Sequence, residues 1–193
     1  MTVNKNLKKI KILSYLFILF FLIAIDYLIT NILVVSKNKL TDNLRINHPI
    51  FHHTLKPNSE GGGVISETYI TNSLGFRDFS KRNINNETNK KRILLMGDSA
   101  TMGFFSEYEN TFSGKITKYF EKKNVDVING GVISYSPIIY FTKIKYLIDN
   151  NIKFDEVFLF IDISDPYDEV FRYELNDKGI VIDRKTVVQK SFI

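Results

Sequence analysis

The 193-residue chain contains no cysteine, which removes disulfide frameworks, thiolate catalysis and cysteine zinc sites from consideration. It also lacks any charge excess outside its N-terminal end. The formal net charge of +5 is confined there: residues 1–45 carry seven Lys or Arg against two Asp, while residues 46–193 carry nineteen of each sign. Nucleic-acid binding needs a basic face on the folded part, so no nucleic-acid partner is expected. Histidine is scarce too. His48, His52 and His53 are all there are, and none follows residue 53.

The apolar residues are concentrated at the start. Ile12 to Val35 is almost wholly hydrophobic, and as a helix it would cover about 36 Å, enough for a hydrocarbon core of roughly 30 Å. Lys5, Lys8, Lys9 and Lys11 precede it, against Lys37 and Lys39 after it, a bias that favours a cytoplasmic N-terminus and an extracytoplasmic remainder. A cleaved signal peptide would have a shorter apolar region and an A-x-A-like site, and Thr30–Val35 offers none. The expected division is a basic tail at 1–11, an uncleaved single-pass anchor in membrane lipid at 12–35, an extracytoplasmic spacer and lead-in at 36–91, and a folded domain from 92 to 193. Asp26, past the middle of the anchor, is either a tolerated polar residue or a contact with another membrane helix.

The lead-in reads as irregular chain through His48–Pro49 and Pro57–Gly63, with one short strand at Thr68–Asn72 and a solvated connector at 80–91. After it the pattern alternates. Apolar runs at Ile93–Met96, Val125–Ile128 and Val157–Ile161 enclose two helical periods, Phe112/Ile116/Tyr119/Phe120 and Tyr140/Ile144/Leu147/Ile148. Lys122 and Lys123 close the first helix, with Asn124 as its stop; Ser136 as N-cap and Pro137 open the second. A short helix is expected through Phe171, then a hairpin around Asn176–Gly179 leading into Ile180–Ile182. This β-α-β-α-β order predicts an α/β fold with a parallel sheet, whose ligand site lies beyond the carboxyl ends of the strands.

Three segments fall at those ends: Gly97–Gly103, Asn129–Gly131 and Asp162–Asp165. Ser99 on a tight turn can present a nucleophilic hydroxyl and a backbone N–H to one pocket, and Gly131 can add a second N–H for an oxyanion. The same residues also suit a plain strand-to-helix turn in which Ser99 and Thr101 cap backbone groups. Gly97–Asp98–Ser99 with Thr101 and Gly103 resembles the first block of SGNH (GDSL-like) hydrolases, and Asn129–Gly130–Gly131 resembles the second. Asn72–Ser73–Leu74–Gly75–Phe76–Arg77–Asp78 is similar to the lead-in of membrane-anchored bacterial members. The resemblance implies a three-layer flavodoxin-like parallel sheet, an esterase or acyl hydrolase activity, Ser99 as nucleophile, and Ser99 and Gly131 as oxyanion donors. It implies neither a cofactor nor a metal.

Two departures stand against the family pattern. Where the third block has an asparagine, this chain has Ser164, a shorter donor completing the proposed oxyanion hole. The last block, Asp-x-x-His, is absent, and His48, His52 and His53 lie upstream, beside a proline and off any shared helical turn. Asp162, Asp165 and Asp168 either bind a cation or cap the next helix. A longer protein is therefore expected, with this part inactive by itself. The two functional readings are an extracytoplasmic serine hydrolase acting on acylated surface glycans or lipids, and an inactive anchored glycan-binding or assembly module.

Overall fold

A computed structural model describes residues 2–30, 44–62 and 67–184 of the chain. They belong to two compact units, Met1–Lys39 and Leu40–Ile193. Among its described residues the first has the helix α1 (Thr2–Leu28), so the basic residues before Ile12 continue into the apolar stretch without a break. Within it Lys9–Leu28 has a mean hydropathy of 2.1, and no part of that stretch is buried inside the protein. Twenty residues at 1.5 Å each reach about 30 Å, long and apolar enough to cross a bilayer, a property shared with signal sequences. The last expected anchor residues, 31–35, and the spacer to residue 43 lie outside the described residues.

The second unit begins with a hairpin of β1 (Arg45–His48) and β2 (His52–Leu55), where the sequence suggested irregular chain. Its turn hides behind Pro49. His48 Nδ1 accepts the Ile50 N–H at 3.2 Å, and His52 takes a left-handed φ of 70°. The chain then makes β3 (Glu60–Gly62), inside the stretch expected as loop, followed by β4 (Thr68–Thr71) and β5 (Arg77–Asp78). No element interrupts the connector before β6 (Arg92–Gly97), which is followed by β7 (Asp126–Asn129) and β8 (Glu156–Phe160).

The main sheet runs β3-β4-β5-β7-β6-β8. The three strands expected as parallel are parallel, with β6 between β7 and β8. The lead-in adds three antiparallel strands beside β7, so the expected parallel sheet is corrected to a mixed one. The cause is local: β7 would otherwise expose an unpaired edge, and β5 covers it through Arg77 opposite Asn129.

β6 is buried along its whole length and sends Leu94 and Met96 into one core, Ile93 and Leu95 into another. Helices cover both faces. The helix α2 (Ser99–Met102) is a single turn after β6, and α3 (Phe112–Glu121) packs Ile116 and Phe120 against Ile93, Leu95 and Val127. The expected α3 stripe is only half buried: Phe112 and Tyr119 face outward, while Ser113, Gly114 and Thr117 point inward. Small residues win because the helix lies close to the chain; a Cβ on Gly114 would sit 1.8 Å from the Tyr108 carbonyl oxygen.

On the other face α4 (Pro137–Asp149) buries Ile139, Tyr140 and Leu147, and Ile148 is exposed. Ser136 occupies the N-cap position, but its hydroxyl donates to Glu169, whose carboxylate accepts the Ile138 N–H at 2.9 Å. The cap thus comes from α5 (Asp165–Phe171). The expected hairpin is present as β9 (Tyr173–Leu175) and β10 (Val181–Asp183), turning at Asn176–Gly179. At the opposite end of the sheet Asp126 bridges Arg82 and Arg92 at 2.6 and 2.7 Å, and Arg82 also reaches Asp78 at 2.7 Å. This network ties the connector to the first residues of β6 and β7.

Candidate active site

β6 ends in Gly97, and the chain reverses at once into α2. Asp98 caps it, its carboxylate accepting the Ala100 N–H at 2.9 Å. Ser99 is the first helical residue, half-buried, with Oγ donating to Asp98 Oδ2 at 3.3 Å. The turn ends at Gly103, whose φ of 79° is a left-handed conformation that glycine adopts without strain.

Every carbonyl at the end of so short a helix needs a partner from elsewhere. Ser99 O accepts the N–H groups of Gly103 and Phe104 at 3.0 and 2.9 Å. Thr101 O accepts from Asn129 Nδ2 at 2.8 Å. Met102 O accepts from Arg77 Nη1 at 3.2 Å, and Gly103 O from the same nitrogen. The nucleophile turn is therefore held by the lead-in on one side and by the end of β7 on the other.

The Asn129–Gly131 turn lies directly against α2. A Cβ on Gly131 would stand 2.7 Å from the Met102 nitrogen, so only glycine fits. Its N–H donates to Asn129 Oδ1 at 3.1 Å. The Gly130 carbonyl accepts from Lys143 Nζ at 3.0 Å, and Lys143 also reaches Tyr135 Oη at 3.1 Å. Lys143 is fully buried, and that burial drives its pKa well below the ordinary lysine value.

At the end of β8, Asp162 Oδ1 accepts both the backbone N–H and the hydroxyl of the exposed Ser164, each at 2.6 Å. Asp165 accepts from the Asp162 N–H at 3.1 Å and from Tyr140 Oη at 2.9 Å. Asp98, Asp162 and Asp165 bring one carboxylate oxygen each within 4.8 Å of the others, a grouping that has the donor chemistry for a cation. Burial raises the Asp98 pKa, and the adjoining Asp162 charge raises it further. Hydrogen bonds from the Ser164 hydroxyl and N–H hold Asp162 below its usual range, so the two carboxyls are shifted in opposite directions. Asp168, the third acid of the sequence reading, pairs instead with Arg172 at 3.1 Å.

The histidines sit on the β1–β2 hairpin, and none hydrogen-bonds Ser99 among the described residues. His53 Nε2–H donates to Ile133 O at 2.8 Å, which makes its Nδ1 the acceptor from His52 Nδ1–H at 2.7 Å. His52 Nε2 faces Asp183 at 3.1 Å. Burial lowers the His53 pKa to about 3 and that of His48, stacked on Phe51 at 3.5 Å, to about 4.

Ser99, Gly131 and the Asp162–Ser164 turn thus lie at the same end of the sheet, with Gly131 packed on the Ser99 helix. Sequence reasoning gave no role to Arg77, Asn129 or Lys143. Arg77 and Asn129 stood inside the quoted motifs. Lys143 left no signal, because on the α4 pattern it reads as a solvated position.

No family model matches the chain, and no curated protein matches it. Among solved structures it is similar to AlinE4, an SGNH-hydrolase family esterase, with 20% identity and a TM-score of 0.31. That similarity covers 38% of this chain and 40% of that one. At that level the likeness carries no argument, and the reading of the site rests on its own geometry.

Proposed function

We propose that the chain is a serine hydrolase of SGNH type that cleaves ester bonds on the extracytoplasmic side of a membrane, anchored by α1. One observation carries the reading: Ser99 stands half-exposed on a one-turn helix capped at both ends, at the carboxyl end of the central strand, with a glycine turn packed against it. In this mechanism Ser99 Oγ attacks the acyl carbon as a base takes its proton, the base passes that proton to the leaving alcohol, and water then cleaves the acyl-serine ester to release the acid and restore Ser99. The Ser99 N–H, with Gly131 and Ser164 as further donors, stabilises the oxyanion. The proposed base is a histidine other than the three on the β1–β2 hairpin, none of which hydrogen-bonds Ser99 among the described residues, and acylated surface glycans or lipids fit the location. Hydrolysis of p-nitrophenyl acetate by the full-length protein in lipid nanodiscs, abolished by Ser99→Ala, is the expected result. A rate equal in parent and Ser99→Ala contradicts it.

A second reading, an anchored glycan-binding or assembly module without catalysis, is favoured by the occupied donors. Gly131 N–H is engaged by Asn129 and Ser164 Oγ by Asp162. Acylated glycan retained by a folded protein that hydrolyses no ester supports this reading over the first.

A further inference from the structure

We propose that Arg77 is a positioning residue for Ser99: its buried guanidinium grips the closing carbonyls of the nucleophile turn and thereby fixes where the serine stands. The inference deepens the hydrolase reading and rests on it. Arg77 belongs to a different part of the chain from the turn, in a strand of only two residues, and is 0% exposed. Buried so completely, the guanidinium places the hydrogens of both Nη atoms on defined acceptors, and only Nε–H is without a hydrogen-bond partner among the described residues.

Those acceptors are backbone carbonyls. Nη1 donates to Met102 O and Gly103 O, and Nη2 donates to Ser106 O at 2.6 Å and Thr68 O at 3.4 Å. The guanidinium carbon lies 4.0 Å from the Tyr69 ring centre and 5.5 Å from that of Tyr108. Burial lowers the Arg77 pKa to about 10, still far above neutrality, so the charge persists.

The link to Ser99 is direct. Gly103, held through its carbonyl by Arg77, donates its own N–H to Ser99 O, as does Phe104. Arg77 Nη1 also lies 3.2 Å from where a Gly103 Cβ would be, so the left-handed residue and the guanidinium fit each other. Losing the fork frees the far end of a helix only one turn long, and the near end is Ser99. A lysine keeps the charge but not the paired, planar donors.

The test measures the second-order rate at which a fluorophosphonate probe labels Ser99 in the full-length protein in nanodiscs, corrected for the folded fraction. Arg77→Met is expected to slow labelling by about 10- to 100-fold, the penalty for a misplaced reacting group. Arg77→Lys should fall between Arg77→Met and the parent. Ile152→Val, which trims the core without touching the turn, should lower Tm and leave the rate unchanged, separating positioning from stability. A folded Arg77→Met labelled at the parent rate overturns the inference; if that variant does not fold, Arg77→Lys labelled at the parent rate does so. If the parent itself is not labelled, the hydrolase reading fails, and amide exchange judges Arg77 separately. Faster exchange at Gly103 and Phe104 than in β6 of the Arg77→Lys variant then upholds the grip on the turn, and unchanged protection overturns it.

Discussion

Gly131 shows how little freedom the site leaves at a single position. Its missing side chain lets the second turn approach to 2.7 Å, measured from a hypothetical Cβ to the Met102 nitrogen. Gly131→Ala is therefore expected to cost about 1–3 kcal/mol through overpacking, read as a lower urea midpoint at unchanged slope. His53 gives a pH dependence. Its pKa falls from 6.5 in the free side chain to about 3 in the fold, with burial the main cause. The unfolded chain therefore binds the proton over that interval and the folded one does not, so stability declines as pH drops from 6.5 toward 3. His48 acts in the same direction down to about 4. Thermal unfolding from pH 7 to 4 should show a shallower decline for His53→Gln, which can keep hydrogen bonds without titrating; an identical slope contradicts the assignment.

At the scale of the element, α2 depends on side chains at both ends. Asp98 supplies the N-terminal cap, and burial with the nearby Asp162 charge raises its pKa. Cap and ionisation can be separated. Asn caps about as well as Asp, so Asp98→Ala should lose about 1 kcal/mol of cap energy that Asp98→Asn retains. The folded pKa of Asp98 lies above its unfolded value, so Asp98 stabilises the fold at low pH and loses that contribution as pH rises through the folded value. At pH 7 Asp98→Asn should therefore unfold at the parent Tm or higher, and Asp98→Ala at a lower one. The sequence marked the turn correctly through Gly97–Gly103, but it could not show which residues receive the turn's carbonyls. Those partners, Arg77 and Asn129, lie 25 to 28 residues from their acceptors. Ser136 makes the same point: the N-cap position was legible, while the acceptor proved to be Glu169, 31 residues from the amide it caps.

Across the whole folded unit, hydrophobic periodicity was enough for the three parallel strands and the two covering helices, because each is a local pattern four to thirteen residues long. The antiparallel strands escaped it. β3 and β5 have three and two residues, Gly61 and Gly62 look like loop, and pairing with β4 and β7 is what makes them strands. Long-range charge was equally hidden: Arg82 fell in the connector expected as solvated and the sequence reading gave Asp126 and Arg92 no role, yet the side chains of Asp126 and Arg92 are 9% and 3% exposed. Burial by itself would raise the Asp126 pKa, but the hydrogen bonds from Arg82 and Arg92 outweigh it and hold the carboxyl below its usual range. Asp126→Ala leaves Arg92 buried without its carboxylate and should cost about 3–5 kcal/mol, measured by urea unfolding at neutral pH.

The central claim, that Ser99 is the nucleophile of a hydrolase, meets its most direct test in mass spectrometry of the full-length protein after treatment with a fluorophosphonate. A single phosphonyl adduct on the peptide containing Ser99, absent from unfolded protein and from Ser99→Ala, is the expected result. A folded chain that gains no adduct, or gains one elsewhere that survives Ser99→Ala, contradicts the claim.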